Sequence, residues 1–330
     1  DDAIEQAGLA AVCFEKAGDL YHAAAAHGYI GDLYRETGDF EKAKIAFEEF
    51  RTAAVKWGDR NLVQIAELAD AWVSLDIGDL THASKLIAEV EKEMTGAASR
   101  RLKRYLAAAK VMLDAGRGNH EEAIAVLPRV IDLWVGAGQQ AIADILRAQL
   151  VRSRVALGDV DGAQTIVDEA LSRLDPTIAG PRVAMFRREA GLIRLRNKDS
   201  KGALSELSKA RKLFGAGGNR REEVLTLHRL AHAALDLGDV PAAQKRAKEV
   251  LTLAREIKHE RAIALARELD SRLALVLGDA EEAVEAGREA MLALRKLGDD
   301  LGTLHVSELL LRAYIAAGDL ASAIRLGPRV

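Results

Sequence analysis

Apolar and small residues recur along the chain at helical spacing, and this pattern returns every forty residues. Each unit contains a turn position; the residue three before it is apolar in most units, and the residue seven before it is often small. Positions four apart lie on one face of a helix, so the pattern predicts a helix face buried against neighbouring helices. The apolar positions are Leu75, Ala115, Val155, Leu195, Leu235, Leu275 and Ile315, with Arg35 as the exception, and the small positions are Gly31, Ala71, Gly191, Ala231 and Ser271.

Turn signals divide the chain at the same period. A Gly-Asp pair, or its equivalent in register, begins at positions 38, 78, 118, 158, 198, 238, 278 and 318, with weaker signals midway between several of them. Glycine takes the left-handed conformation that ends a helix, and aspartate caps the helix that follows. An alanine five residues after each turn position lets two helices approach closely. We therefore predict helices of about 15–18 residues, each near 25 Å long, alternating with tight turns.

Helix pairs that repeat at a fixed period stack into a solenoid. We predict an all-α fold over residues 1–330, a single α-solenoid of about eight helix-turn-helix repeats, with an additional N-terminal helix over residues 1–17. The forty-residue period argues against two globular domains. Because residues Ile324 to Val330 follow soon after the turn at Gly318, we expect a shortened last repeat. The chain starts at Asp1 rather than methionine, and we interpret it as a piece of a longer protein or as a chain that lacks its disordered end.

One unit carries a family resemblance. The segment Gly31-Asp32-Leu33-Tyr34, followed by Gly38-Asp39-Phe40-Glu41-Lys42-Ala43 and then by Phe47, resembles a tetratricopeptide (TPR) repeat. The unit is longer than the usual TPR unit of about 34 residues. In this respect it is similar to the TPR-like arrays of bacterial signalling proteins, such as MalT-type transcription activators and regions attached to kinases and ATPases. The resemblance implies a right-handed superhelix whose first helices line a concave surface that holds peptides or partner helices.

The TPR pattern also implies two inward-facing columns, six and ten residues before each turn position. Within these columns we select nine candidate residues for binding a peptide or another ligand: Trp72, Arg152, Arg188, His228, His232, Glu268, Arg272, Glu308 and Arg312. His232, Arg272 and Arg312 lie one repeat apart, and such a basic ladder could hold the carboxylates of an acidic peptide. The alternative is that the arginines pair with Glu268, Glu308 and their neighbours as an ordinary polar surface.

Charge and aromatic content are unevenly distributed. The net charge is −3, yet residues 1–70 contain 7 basic and 14 acidic residues, while residues 182–229 contain 13 basic and 5 acidic residues. The basic segment could contact an acidic protein, the acidic beginning of another copy, or nucleic acid. Nucleic acid is disfavoured because only Phe186 and Phe214 are available there for stacking, and both fit core positions. Nine of the fourteen aromatic residues occur by residue 72, which indicates tighter TPR-like packing in the first repeats, with an aromatic docking site there as the alternative.

No residue set forms a catalytic constellation, so we expect a non-catalytic protein without a cofactor. We interpret Cys13, the single cysteine, as a small buried residue of a helix. His228 and His232 are four residues apart and could converge on a metal, with Glu268 of the next repeat as a third ligand. The pattern HExxH is not met, because position 229 is arginine, and we expect no metal. The glycine-rich stretch 215–219 follows a helix, so we interpret it as a turn rather than a phosphate-binding loop.

Three functions remain as hypotheses. The first is a protein- or peptide-binding scaffold, or regulatory module, of a larger bacterial signalling protein in the cytoplasm. The second is a small-ligand sensor region of a transcription activator, kinase or ATPase, which predicts a closed pocket instead of an open groove. The third is a self-assembly module. No uncharged apolar run approaches the length of about 18 residues that a membrane-spanning helix needs, so we expect no membrane insertion.

Overall fold

The protein is all-helical in the computed structural model, which describes residues 2–96 and 98–327. Within these residues it forms 17 α-helices and no β-strand. In chain order they are α1 (Asp2–Ala17), α2 (Leu20–Thr37), α3 (Phe40–Trp57), α4 (Arg60–Ile77), α5 (Leu80–Glu93), α6 (Arg100–Gly116), α7 (His120–Val135), α8 (Gln140–Ala156), α9 (Val160–Arg173), α10 (Gly180–Arg196), α11 (Ser200–Ala216), α12 (Arg220–Asp236), α13 (Val240–Glu256), α14 (Glu260–Leu277), α15 (Ala280–Leu297), α16 (Asp300–Ala316) and α17 (Leu320–Leu326).

The turns between helices follow the predicted chemistry. Gly38 has a φ of 84°, in the left-handed region that glycine adopts without strain, and its N–H donates to the carbonyl of Arg35. The carboxylate of Asp39 then accepts the N–H of Lys42 and caps α3. The left-handed turn residue returns along the chain, and Lys198, which replaces glycine in one unit, keeps a positive φ of 60°. The side-chain cap also recurs at the forty-residue turn positions, except that Asn119 makes no capping hydrogen bond. The predicted all-α solenoid is confirmed.

Small residues let the paired helices approach one another closely. A Cβ atom added to Gly31 would lie 2.3 Å from the Phe47 ring, and one added to Gly191 would lie 2.5 Å from the Leu207 side chain. The alanine five residues after the turn position is fully buried in seven of its eight occurrences, which are Ala43, Ala83, Ala123, Ala163, Ala203, Ala243 and Ala283. The core therefore extends along the whole solenoid, and small residues form the close contacts between successive helices.

The solenoid also contacts itself over a long distance in sequence. Helix α2 packs on α12, five helix pairs later, and α4 packs on α14 in the same way. At the first contact, a Cβ atom on Gly38 would lie 3.3 Å from the backbone nitrogen of Arg221. The turn at Gly78 lies closer still to the side chain of Arg261. The forty-residue pattern predicts contacts between neighbouring repeats only, so this closure of one superhelical turn on the next is a new feature.

The two ends of the array differ from expectation in one respect. Cys13 is exposed, and the interpretation of this residue as buried is wrong. Helix α1 packs on α2 and buries only Ala7 and Ala11, because no earlier helix covers its other face in the described part of the chain. The last helix, α17, ends at Leu326, and residues 328–330 lie outside the described residues. Among the helices described, none is long and apolar enough to span a membrane.

Candidate functional site

The first helices of the repeats line two cavities that follow one another along the solenoid. The first, which we call the N-terminal chamber, has a volume of about 330 Å³ and is lined mainly by α2, α4, α6 and α8. The second, the C-terminal chamber, has a volume of about 270 Å³ and is lined by α8, α10, α12, α14 and α16. The repeat therefore places helices of the same kind around both chambers, and the side chains decide how the two differ.

The N-terminal chamber is aromatic. Its lining includes Tyr29, Phe47, Phe50, Trp72, Tyr105 and Trp134. The rings of Tyr105 and Trp134 meet edge to face, with their centroids 4.9 Å apart. The guanidinium carbon of Arg35 lies 5.6 Å from the centroid of Trp72, within the range of a cation–π interaction. Tyr29 is 55% exposed, so part of this aromatic surface is open to a ligand.

A few polar groups enter this aromatic lining. Asp32 and Glu36 lie on α2 beside Arg35, and all three line the chamber. The surrounding protein raises the pKa of Asp32 above its ordinary value by desolvation, although Arg35 opposes the shift. Desolvation also raises the pKa of Glu36, again against the charge of Arg35. An apolar wall with a few oriented polar groups is the usual chemistry of a ligand site.

The C-terminal chamber is cationic. Five arginines line it, together with Glu189, Glu268, His228, His232 and His305; the arginines are Arg152, Arg188, Arg229, Arg261 and Arg272. Carboxylates offset much of this charge. Arg261 Nε donates to Asp299 Oδ2 at 2.6 Å, and Arg188 Nη2 donates to Glu189 Oε1 at 2.8 Å. Arg152 lies 3.6 Å from the same glutamate, a longer contact than these two, and is a third exposed.

Two histidines and one glutamate meet in this chamber. The Nε2 atoms of His228 and His232 each lie 3.2 Å from Glu268 Oε2, and they lie 3.2 Å from one another. His228 and Glu268 are both 6% exposed, whereas His232 is 20% exposed. Burial, with His232 nearby, lowers the pKa of His228 to about 3, so its imidazole is neutral near pH 7. Arg272 Nε donates to the other oxygen of Glu268.

A chain of ion pairs runs from the lining of one chamber to that of the other, and we call it the cross-brace: Arg35, Asp76, Arg221, Glu222 and Arg188. Arg35 Nη1 donates to Asp76 Oδ2 at 2.6 Å, and Arg221 Nη2 lies 2.8 Å from Asp76 Oδ1. Arg221 and Arg188 both donate to Glu222. The cross-brace therefore links α2 and α4 to α12 and α10 at the place where the solenoid contacts itself.

Burial sets the electrostatics of the cross-brace. Desolvation lowers the pKa of Arg221 to about 10, although the Asp76 carboxylate opposes the shift. Burial acts in the same direction on Arg35, but the carboxylates of Asp76 and Asp32 outweigh it and raise the pKa of Arg35. Both guanidiniums stay charged near pH 7. Asp76, which is 8% exposed, therefore faces two cations and is the group on which this contact depends.

The predicted site residues are not all brought together. Trp72 lines the N-terminal chamber, whereas Arg152, Arg188, His228, His232, Glu268 and Arg272 line the C-terminal chamber. Glu308 and Arg312 are exposed on α16 and line neither chamber. The basic ladder is thus interrupted after Arg272, and that residue pairs with Glu268, as the alternative interpretation expected. Much of the basic segment is also paired within the chain, at Arg187, Arg194, Lys209, Arg211 and Arg220.

Sequence reasoning missed the cross-brace. Asp76 and Arg221 are 145 residues apart, and no local spacing joins them. One signal was present, because Arg35 is the charged exception in a column that is otherwise apolar. A charged side chain in such a column needs an oppositely charged partner when it is buried. In the structure that partner of Arg35 is Asp76.

Comparisons with known proteins agree with this architecture. The family model described as tetratricopeptide repeat matches residues 24–50, which cover parts of α2 and α3. A Rap protein solved in complex with Competence and Sporulation Factor is similar in structure, with a TM-score of 0.69 and 14% sequence identity; the match covers 92% of this chain and 85% of that one. No curated protein sequence matches the chain significantly.

A second solved structure extends the comparison. It is a Signal Transduction ATPase with Numerous Domains (STAND) protein with a tetratricopeptide repeat sensor, from Pyrococcus horikoshii. The TM-score is 0.50 at 16% identity, and the match covers 99% of this chain but 52% of that protein. At such identities the likeness shows the fold alone. The chain is therefore a TPR-like helical repeat array, an architecture that commonly serves as a scaffold for protein interactions.

Proposed function

We propose that this chain is a non-catalytic recognition module that takes a peptide, or a short segment of a partner protein, into its inner chambers. The single observation that carries this proposal is the pair of chambers, one aromatic and one cationic, that rigid stacked helices place in succession. A ligand with an apolar or aromatic group near one end and a carboxylate near the other complements both. Because the module binds without transforming its ligand, we further propose that it is the regulatory part of a larger bacterial signalling protein.

The aromatic chamber supplies the apolar half of this recognition. Tyrosine and tryptophan offer large contact areas at low cost in conformational entropy, and they dominate the energetics of many interfaces. Tyr29 is the most accessible of these rings in the chamber, whereas Trp72 is 8% exposed and forms its floor. We therefore expect Tyr29 to contact the ligand directly and Trp72 to shape the pocket.

The cationic chamber supplies the polar half. Arginine binds carboxylates through paired, charge-assisted hydrogen bonds. Arg188 and Arg261 are committed to carboxylates of the chain itself, as the contacts above describe. Arg152 is a third exposed and has only a longer contact, 3.6 Å, with Glu189, and it is the arginine we assign to an acidic group of the ligand.

A selection from a phage-displayed heptapeptide library, followed by anisotropy titration of the selected peptide, tests the proposal. We expect enrichment of sequences that combine an aromatic or apolar residue with an acidic one. Tyr29→Ala and Arg152→Gln should each weaken the binding of the selected peptide about tenfold, the loss of roughly 1.4 kcal/mol.

Matched controls lie outside the chambers. Trp57→Ala removes an aromatic side chain of similar exposure, 52%, and Arg312→Gln removes an arginine from the same repeat column as Arg152. Neither should change the affinity. Failure to enrich any sequence, or equal affinities for the chamber variants and the controls, would contradict the proposal.

A small-ligand sensor is the second candidate, and the cross-brace favours it. The contact of α2 with α12 closes the inner space between successive superhelical turns, which suits an enclosed ligand better than an extended chain. The STAND protein, whose tetratricopeptide repeats are described as a sensor, is compatible with this candidate. A thermal-shift screen of metabolites separates the two functions, because a ligand that binds the folded state raises its melting temperature. If a metabolite raises the melting temperature of the wild-type chain but not that of Tyr29→Ala, the ligand of the N-terminal chamber is a small molecule rather than a peptide.

A further inference from the structure

The His228–His232–Glu268 cluster has a geometry that ordinary packing does not require. The three facing atoms, two imidazole nitrogens and one carboxylate oxygen, form a triangle with sides of 3.2 Å. Nitrogen and oxygen ligands at about 2.0–2.1 Å from a tetrahedral Zn²⁺ lie about 3.3 Å from each other. The cluster therefore has the dimensions of one face of a zinc coordination tetrahedron.

Protons alone do not satisfy this triangle. A neutral imidazole carries one N–H, and that hydrogen lies along one line only. If both Nε2 atoms donate to Glu268, two N–H groups face each other at 3.2 Å. If only one donates, its hydrogen is directed at the carboxylate, and the lone pair of the other imidazole faces the lone pairs of Oε2 with no hydrogen between them. A cation at the centre would be attracted to all three atoms at once. The two histidines and the glutamate lie together within 4.8 Å and are the one such group among the residues described.

The repeat explains how the ligands are delivered. His228 and His232 are one helical turn apart on α12, so their side chains leave the same face. Glu268 is forty residues after His228, at the equivalent position of α14, and the packing of α12 on α14 brings it to the same point. Arg272 holds the second carboxylate oxygen, which leaves Oε2 directed at the imidazoles. Such outer contacts orient the ligands of known metal sites.

The charges around the cluster are mixed. Its cationic neighbours in the chamber are Arg152, Arg188, Arg229, Arg261 and Arg272, and the carboxylates that offset them are Glu189, Glu222, Glu268 and Asp299. Since all three proposed ligands line the chamber, the fourth coordination position opens into it. Water or a carboxylate would occupy that position, and the arginines favour the anionic choice.

We propose that His228, His232 and Glu268 bind one divalent transition-metal ion, with Zn²⁺ as the preferred metal and the fourth position open to the C-terminal chamber. Two imidazoles and a carboxylate are a recurrent ligand set for zinc sites with an open position. The incomplete HExxH pattern leads to the expectation of no metal, but the structure brings Glu268 of the next repeat, the third ligand considered from the sequence, against both histidines. The site would join α12 to α14 as a clamp between repeats. It stands independently of the peptide-binding proposal.

Titration of the tag-free, chelator-treated full chain with Co²⁺ tests this site. We expect one equivalent per chain to produce the visible absorption bands of a four-coordinate cobalt centre, and Zn²⁺ to displace the cobalt. His232→Ala and Glu268→Gln should abolish the bands, or weaken cobalt binding about a hundredfold or more, because each removes a ligand. His82→Ala, at an exposed histidine outside the chamber, should leave titration and spectrum unchanged.

The outcome is decisive even if one variant folds poorly. Circular dichroism identifies such a variant. If Glu268→Gln is misfolded, the cobalt titration of His232→Ala, which truncates the least buried ligand, is sufficient to test the site. Zn²⁺ should also raise the melting temperature of the wild-type chain and not that of His232→Ala, since binding to the folded state stabilises it. The absence of cobalt bands in the wild type would overturn the site, as would bands of equal strength in wild type and both ligand variants.

Discussion

The two chambers share one scaffold and differ in what holds them together. Around the N-terminal chamber, aromatic rings pack on one another, as Tyr105 and Trp134 do. Around the C-terminal chamber, buried guanidiniums are matched to carboxylates, as Arg188 is to Glu189. The first arrangement depends on apolar packing, which does not respond to protonation. The second depends on buried charged groups. Because a buried charge without a partner destabilises the fold, each of these groups must remain paired.

The comparison shows how a repeat array acquires different sites without changing its backbone. The turn positions and the alanines that follow them recur in both halves, while the inward column changes from Asp32 and Trp72 to His232 and Arg272. We therefore expect substitutions in the first half to act through cavity size. In the second half and in the cross-brace, they should act through unpaired charge.

The largest effect is expected for Trp134→Ala. Trp134 is among the largest fully buried side chains, and removing it leaves a cavity that rigid helices fill poorly. Such truncations cost about 3–5 kcal/mol in the free energy of unfolding. Urea unfolding followed by circular dichroism measures this loss, and Trp57→Ala, at an exposed tryptophan, should change it by less than about 0.5 kcal/mol. If the two variants lose the same free energy of unfolding, the proposal that aromatic packing stabilises the N-terminal chamber is wrong.

Asp76→Asn should have the next largest effect. It leaves Arg35 and Arg221 without their shared carboxylate at the contact between superhelical turns. Breaking a buried ion pair by removing one partner costs about 3 kcal/mol or more. The same urea unfolding measures this loss, and Arg154→Gln, which breaks the more exposed pair with Asp159, is the control expected to cost less than about 1 kcal/mol. If Asp76→Asn is no more harmful than its control, the cross-brace contributes nothing to stability.

The difference between local and distant contacts also explains which features of the structure can be predicted from the sequence. The period, the turn at Gly38 and the buried alanines follow from short spacings, so the solenoid was predictable. The columns carried over from the TPR pattern contain His232 and Arg272, which line one chamber, and Arg312, which does not. The columns do not encode where a chamber ends, and the binding roles of these residues stay predictions. The Asp76–Arg221 pair depends on the pitch of the whole superhelix, which no single unit specifies.

Acid should weaken the cationic half through His259. This residue is fully buried, its Nδ1 accepts the N–H of Ala262, and burial beside Arg221 and Arg261 lowers its pKa to about 3. The unfolded chain binds a proton near its ordinary pKa of about 6.5. Neutral His259 therefore stabilises the fold fully above pH 6.5, and this contribution is lost as pH falls from 6.5 towards 3, by about 1.4 kcal/mol per pH unit.

Urea unfolding between pH 7 and pH 5.5 measures that slope. His259→Asn keeps a residue suited to capping α14 and removes the titrating group, so its stability should fall less steeply with acid. The matched variant is His82→Asn, at an exposed histidine beside Asp70, which should retain the wild-type slope. Identical slopes for wild type and His259→Asn would show that the burial of this imidazole does not govern acid sensitivity.

The smallest effect on stability is expected at Arg152, one of the two residues whose substitution should weaken ligand binding. Its guanidinium is a third exposed and lies 3.6 Å from Glu189, which Arg188 continues to pair when Arg152 is replaced. Arg152→Gln should therefore change the free energy of unfolding by less than about 1 kcal/mol. Arg188→Gln, in the same chamber, removes the partner of Glu189 and Glu222 and should cost about 3 kcal/mol. A large loss for Arg152→Gln would mean that this arginine, too, is structural, and a weaker peptide affinity of that variant would then no longer indicate a binding contact.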